Sequence, residues 1–314
     1  MPAAGTGGAP AQAPVRAAIK LTYRCNSRCL FCRVDQYRGR VADVPAPEVV
    51  RKVMAARELG VGMVLFSGGE PTMREDLPAL ARAVAALGMR FGLITNGRRL
   101  SYRPYREALL DLGLAYVHTS LHGARAATHD AHVRCCAFGE VLAALEGIAG
   151  RGVEVHVNTV ITRLDVGELA DTSDLLARFA PLTHKLCLME PRGSFEDHEA
   201  RLAIPPEEAG SAAVACVERS RGLHREAGLE TVVEGFPTCQ VEAARDAVAS
   251  LRTHNILYMS EAFEDRLFPT DDGERTYLDP CWPCAARPDC PGVYVGYAER
   301  YGTTGLRTLR RAPA

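Results

Sequence analysis

Three cysteines fall within eight residues in the run Cys25-Asn26-Ser27-Arg28-Cys29-Leu30-Phe31-Cys32. Structural zinc wants four ligands in a tetrahedron, and this run offers three. A [4Fe-4S] cubane held by three thiolates instead leaves one iron open to another ligand. Phe31 sits between the last two cysteines, where a ring can shield a cluster or pack on a bound ligand. A second candidate follows the apolar run Met63-Val64-Leu65-Phe66, as Ser67-Gly68-Gly69-Glu70-Pro71. Gly68 and Gly69 allow close approach of the backbone to a ligand, because no Cβ intrudes. Glu70 offers a negative charge and Pro71 fixes the turn. Taken alone the glycine pair reads as an ordinary turn, since Gly and Pro dominate turns.

A second cysteine set lies near the end of the chain. Cys239, Cys281, Cys284 and Cys290 are spaced C-x41-C-x2-C-x5-C. Four thiolates fully ligate either zinc or a [4Fe-4S] cluster, and composition does not choose between them. Cys239 is the ligand with a rival, Cys187. Of the other cysteines, Cys216 shares a helix face with Ala209, Ala212 and Ala213 and reads as core. Cys135 and Cys136 are adjacent, an awkward geometry for a disulfide. They read as two buried small residues opening a helix, with a redox thiol at a site mouth as the alternative. Eleven cysteines is an odd number, and the N-terminus lacks the basic and apolar regions of a signal peptide. A reducing, cytoplasmic setting is therefore expected rather than a disulfide framework.

The elements that must hold these residues alternate along the chain. Strands are expected at 17–22, 62–66, 90–95, 114–119, 153–161 and 184–189. Helices fall between them, the clearest from the 3.6-residue period of Phe138, Val141, Leu142, Leu145 and Ile148. Six β/α units predict an α/β fold with a parallel sheet covered by helices, and ligands at the carboxyl ends of the strands. Both motifs fall at such ends. His118, His122 and Glu190 fall there too, as candidate substrate contacts. A further helix is expected over 205–227, and after Gly235 the pattern becomes irregular. The division expected is a disordered lead-in at 1–14, the main α/β body at 15–234 and a small extension at 235–314. The 314 residues carry a net charge of -1, which gives no basic surface for nucleic acid. There is no run of 18 apolar residues, so no membrane span is expected.

CxxxCxxC after the first strand, joined to GGEP after the second, resembles the radical S-adenosylmethionine (SAM) superfamily. The resemblance implies a partial (β/α)6 TIM barrel. It implies a [4Fe-4S] cluster on Cys25, Cys29 and Cys32, with SAM on the open iron and cleaved by one electron to methionine and a 5′-deoxyadenosyl radical. That radical takes hydrogen from substrate. Similarity to the molybdenum-cofactor cyclase branch assigns SAM contacts to Thr95, Ser120, His156 and Met189 beside Gly68, Gly69 and Glu70. That branch has an arginine where this chain has Leu65, which argues for a different substrate. The second cysteine set is similar to the SPASM and twitch extensions. With no cysteine after Cys290, a single auxiliary [4Fe-4S] cluster on Cys239, Cys281, Cys284 and Cys290 is implied, accepting an electron from a substrate radical. The expected substrate is a small natural-product precursor or a ribosomal peptide, with the small molecule favoured because no N-terminal peptide-recognition stretch is seen. A flavodoxin or ferredoxin is the expected electron donor. Two rival readings remain: methyl or aminocarboxypropyl transfer from SAM, and a non-catalytic iron–sulfur or zinc protein.

Overall fold

The computed structural model describes residues 16–248, 256–259, 268–269 and 275–310. The expected lead-in at 1–14 lies outside the described residues. The chain alternates as β1 (Arg16–Thr22), α1 (Ala46–Glu58), β2 (Met63–Gly68), α2 (Leu77–Ala86), β3 (Arg90–Ile94), α3 (Arg103–Asp111) and β4 (Leu114–Ser120). It continues through α4 (Ala126–Val133), α5 (Phe138–Ile148), β5 (Glu154–Ile161), α6 (Leu169–Leu176), β6 (Leu182–Leu188), α7 (Glu199–Leu202), α8 (Pro206–Leu223) and β7 (Leu229–Glu234). Beyond these come β8 (Ile256–Met259), β9 (Phe268–Pro269), β10 (Arg275–Thr276), β11 (Val293–Tyr294) and α9 (Val295–Tyr301).

The main sheet runs in the order β7-β6-β5-β4-β3-β2-β1-β8-β9 and does not close on itself. Every pair from β1 to β7 is parallel, which makes the body a partial TIM barrel. Two features depart from the expected six-unit body. A seventh parallel strand, β7, follows the long helix α8. At the other edge β8 pairs parallel with β1, so part of the irregular C-terminal stretch belongs to the same sheet.

Strand alternation sorts the side chains. Outward residues such as Ile19, Val64, Phe66, Phe91, Leu93, Val117 and Val157 pack beneath the helices in one continuous core. Inward residues line the lumen of the barrel. Near its lower end Ala18, Met63, Leu65 and Tyr116 form a buried apolar plug. Gly92 is required there, because a Cβ would stand 2.7 Å from the Tyr116 Cβ and 2.8 Å from Leu65. Leu65 is thus part of this plug.

At the lower rim, where β5 begins, Arg16 donates to both Glu154 oxygens at 2.9 and 2.7 Å, and His156 Nε2 lies 2.9 Å from Glu154. These bonds, that of His156 first, pull the Glu154 carboxyl down to about 2. A depressed carboxylate contributes stability that is full above its unfolded pKa and is lost as pH falls through the folded one. The cluster is partly exposed, so its worth is about 0.5–1 kcal/mol. Urea unfolding should therefore show Glu154→Gln less stable than the parent near neutrality. That gap should close as pH falls from about 4.5 to about 2.

Candidate functional site

The loop after β1 carries Cys25, Cys29 and Cys32, and it is pinned from three sides. Arg28 N–H donates to the Val133 carbonyl at 3.0 Å and Leu30 N–H to that of His132 at 2.9 Å, which docks the loop on the end of α4. Arg38 donates to the carbonyls of Cys25 and Ser27 at 3.2 and 2.8 Å. Arg98, just after β3, donates to the carbonyl of Asn26 and pairs with Glu140. Burial pushes the thiols of Cys25, Cys29 and Cys32 up, and Cys29 feels the charge of both others. Metal binding must displace protons from all three.

The Gly-Gly-Glu-Pro turn is stitched to the same loop. Gly69 N–H donates to the Thr22 carbonyl at 2.7 Å and Glu70 N–H to that of Arg24 at 2.8 Å. A Cβ on Gly69 would meet the Arg24 oxygen at 2.5 Å and the Tyr23 oxygen at 2.6 Å. Gly68 has φ +148° and its own Cβ would meet the Thr22 oxygen at 2.3 Å. Both glycines are therefore needed for the seam between β1 and β2. Glu70 is 0 % exposed, and burial raises its pKa. Its Oε1 accepts from Thr72 N–H, the Thr72 hydroxyl and the Thr95 hydroxyl at 3.0, 2.6 and 2.7 Å. Its Oε2 accepts from Asn96 N–H at 2.7 Å.

Around this seam the sequence-derived residues do not all meet. Thr95 is buried with its hydroxyl turned to Glu70, and it also accepts from Gly97 N–H at 3.1 Å. Ser120 ends β4 on the lumen side. Met189 is buried with Leu30, Phe195 and Leu202, with Phe31 packed against them, so it backs the cysteine loop. His156 is the exception. It lies near the start of β5 and turns to Glu154 at the lower rim, away from the cysteines. The residue level with Ser120 is Asn158, two positions on.

Phe31 stacks edge-on to His122 with centroids 4.9 Å apart, and lies 5.9 Å from His132. His122, His129 and His132 are all buried, and burial depresses all three, His129 to about 4. They are a neutral packing layer behind the loop. Cys135 and Cys136 were expected to be buried, yet Cys135 is half-buried and Cys136 exposed. The left-handed Arg134 at the end of α4 turns the chain so that the Cys135 thiol lies 3.5 Å from Ser27 Oγ.

On the far wall of the lumen Lys185 pairs with Glu234 at 2.6 Å, and the Cys187 thiol donates to Asn158 Oδ1 at 2.6 Å. Cys187 is thus committed to the lumen and does not join the second cysteine set. A cleft of about 960 Å³ opens beside Cys32, lined by Lys20, Tyr23, Arg33, Asp35, Tyr37 and Arg192 among others.

The second set gathers where β7 ends. Cys239 lies five residues beyond Glu234, and its thiol feels the charges of Cys290, Cys281 and Cys284. Backbone N–H groups face these sulfurs: Thr238 and Gly292 at 3.4 Å from Cys290, and Leu309 at 3.3 Å from Cys284. Arg275 lies over the Tyr294 ring at 3.9 Å and donates to the carbonyls of Gly235 and Gly292. Trp282 is exposed, with the Arg287 guanidinium 4.3 Å from its ring.

Among the described residues no three His, Cys, Asp or Glu side chains converge on a point that would hold one metal ion. Within each set the thiols lie near enough to feel one another's charge. A cubane takes each thiolate on a different iron and accepts backbone N–H donors at its sulfurs, and both sets offer such donors.

The family model described as the Radical SAM superfamily matches residues 19–176. The Fe-coproporphyrin III synthase of Methanosarcina barkeri is 29% identical over 223 residues, covering 69% of this chain and 52% of that protein. This chain thus spans about half the length of that relative. A probable GTP 3',8-cyclase of Thermococcus kodakarensis is 27% identical over 261 residues, covering 82% of this chain and 81% of that one. Among solved structures, Streptococcus suis SuiB bound to precursor peptide SuiA superposes with a TM-score of 0.62 at 15% identity. That superposition covers 79% of this chain and 57% of SuiB and shows a shared fold.

Proposed function

This chain belongs to the radical SAM superfamily, and from that premise we propose that it abstracts hydrogen from an organic substrate inside the barrel. In this reading Cys25, Cys29 and Cys32 hold a [4Fe-4S] cluster. Gly68, Gly69, Glu70, Thr95, Ser120, Met189 and Phe31 surround the SAM that shares it. When bound, cluster and SAM together supply a primary carbon radical from a one-electron cleavage. The observation that carries this reading is the double tie of Gly69 and Glu70 to Thr22 and Arg24, which fixes the glycine turn against the cysteine loop.

The chain's own part is orientation and exclusion of water. Glu70 acts through its surroundings: its bonds to Thr72, Thr95 and Asn96 lock the ends of β2 and β3 together. Thr95 supports that carboxylate. His156 turns to Glu154 at the lower rim, and in this reading Asn158, level with Ser120, stands beside SAM in its stead. The plug of Met63, Leu65 and Tyr116 closes the lower lumen. Lys185, Glu234, Asn158 and Cys187 supply polar contacts for substrate above it.

Cys239, Cys281, Cys284 and Cys290 hold a second, twitch-like [4Fe-4S] cluster that assists electron transfer. Four donors close it to further ligands. Resemblance to the twitch extensions is what favours iron–sulfur over zinc here. The relatives named above are named for a porphyrin, GTP and a bound peptide, so the substrate class stays a small natural-product precursor or a peptide. A flavodoxin or ferredoxin would donate the electron, and the chain works in the cytoplasm.

Anaerobic reconstitution with iron, sulfide, SAM and a reductant should yield 5′-deoxyadenosine. Absence of that product, with the candidate substrates present, would refute the reading. Methylthioadenosine or a methylated product from labelled SAM would point to group transfer instead. Changing Cys281 and Cys284 to alanine should remove roughly half of the bound iron, as expected when one of two four-iron clusters is lost. A zinc content that tracks these residues instead would refute the second cluster.

A further inference from the structure

Asn96 follows β3 and touches both the cysteine loop and the glutamate turn. Its backbone N–H donates to Glu70 Oε2 at 2.7 Å. Its side-chain Nδ2 donates to Asn26 Oδ1 at 2.7 Å and Ser27 Oγ at 3.2 Å, and reaches the Cys25 sulfur at 3.8 Å. Its Oδ1 accepts from Arg98 N–H at 3.1 Å, which fixes the amide so that its nitrogen faces the cysteine loop. Gly97 then turns left-handed at φ +78° and lies so close to Thr119 that a Cβ would meet its hydroxyl at 2.7 Å. The amide is held by its bonds to Asn26, Ser27 and Arg98 on a turn that is itself fixed. Cys25 also receives Ser27 N–H at 3.4 Å, so this sulfur is met by two donors.

We infer that Asn96 is the positioning residue of the first cluster: its amide donates to Cys25 and sets that cluster's reduction potential while locking the loop to the glutamate turn. The inference rests on the cluster assignment proposed above. An N–H aimed at a ligating sulfur withdraws charge and stabilises the reduced, more negative cluster. The electron that cleaves SAM must leave this cluster, so its potential decides how readily it fills. Nothing in the cysteine motif itself encodes this donor. It comes from the turn after β3, two strands over in the sheet, through a residue that also satisfies the buried Glu70.

The test separates the two roles of the residue. Asn96→Ala keeps the backbone bond to Glu70 and deletes the amide. Asn96→Asp keeps the acceptor for Arg98 and removes the donors. Asn26→Ala removes the strongest competitor for the amide and leaves the donor on Cys25. Each is made in a background with Cys281 and Cys284 changed to alanine, so that one cluster is read. Potentiometric titration is followed by electron paramagnetic resonance, with melting curves as a check on folding.

At a potential poised at the parent midpoint, Asn96→Ala and Asn96→Asp should lower the reduced-to-oxidised ratio about three- to tenfold, the range of one hydrogen bond. Asn26→Ala should hold the parent ratio or raise it. An unmoved ratio in Asn96→Ala overturns the inference, and so does an equal fall in Asn26→Ala. If Asn96→Ala fails to keep its cluster, Asn96→Leu, which removes the donors without adding the charge of Asp, decides the matter. Absence of any cluster signal in the parent protein instead overturns the cluster assignment beneath it, which keeps the two failures distinct.

Discussion

Replacing Cys29 by alanine is expected to abolish formation of 5′-deoxyadenosine, down to the rate seen without protein. Cys29 lies at the centre of the loop, and its thiol feels Cys32, Cys25 and Cys135. A cubane deprived of one of its three thiolates has two open irons instead of one, so SAM loses its defined position. Iron should fall by roughly half, because the second cysteine set is remote in the chain and keeps its own. The control that gives this result its meaning is Cys135→Ala. The Cys135 thiol stands near the loop and is a neighbour chemically able to fill the open corner. Retained iron and retained SAM cleavage in Cys135→Ala would show that the corner belongs to SAM. Cleavage that survives in Cys29→Ala would show that the triplet is not the reactive centre.

The second large effect is structural. Gly69→Ala should destabilise the protein by about 2 to 4 kcal/mol, the cost of overpacking against rigid backbone. The atoms in the way are the carbonyl oxygens of Arg24 and Tyr23, which cannot rotate aside as a side chain would. Relief requires parting β1 from the turn, which breaks the bonds of Gly69 to Thr22 and of Glu70 to Arg24. The melting temperature should drop by roughly 3 to 6 °C, and SAM binding measured by calorimetry should vanish with it. Gly139→Ala is the matched control. It lies inside α5 with nothing within 4 Å of the added methyl, and should be neutral or slightly stabilising. Equal melting of the two variants would dismiss the seam as a structural requirement.

Much of this arrangement was legible in the residues. Strands bounded by glycine turns, with helices of clear period between them, gave the barrel. The two motifs fell at strand ends because ligands there meet free backbone groups. What was hidden has identifiable causes. Leu229–Glu234 alternates in the manner of a half-buried strand, but it is short and follows a long polar helix, so β7 went unseen. β8 joins β1 across more than two hundred residues, and no local pattern announces such a partner. His156 was carried over by position along the strand. Two residues along a strand keep the same face and change the depth by about 7 Å, and His156 turns to Glu154 while Asn158 stands level with Ser120. Asn96, Arg38 and Arg98 were missed because their work is to hold backbone and sulfur of a distant loop. Asn-Gly reads as a turn, and an arginine on a loop reads as surface. For Cys135, the left-handed Arg134 decided its direction, and a non-glycine residue gives no warning of that conformation.

The plug of Ala18, Met63, Leu65 and Tyr116 stoppers one end of the barrel. A barrel stoppered there is a cup rather than a tunnel, so anything entering from the carboxyl ends of the strands halts at this layer instead of passing through.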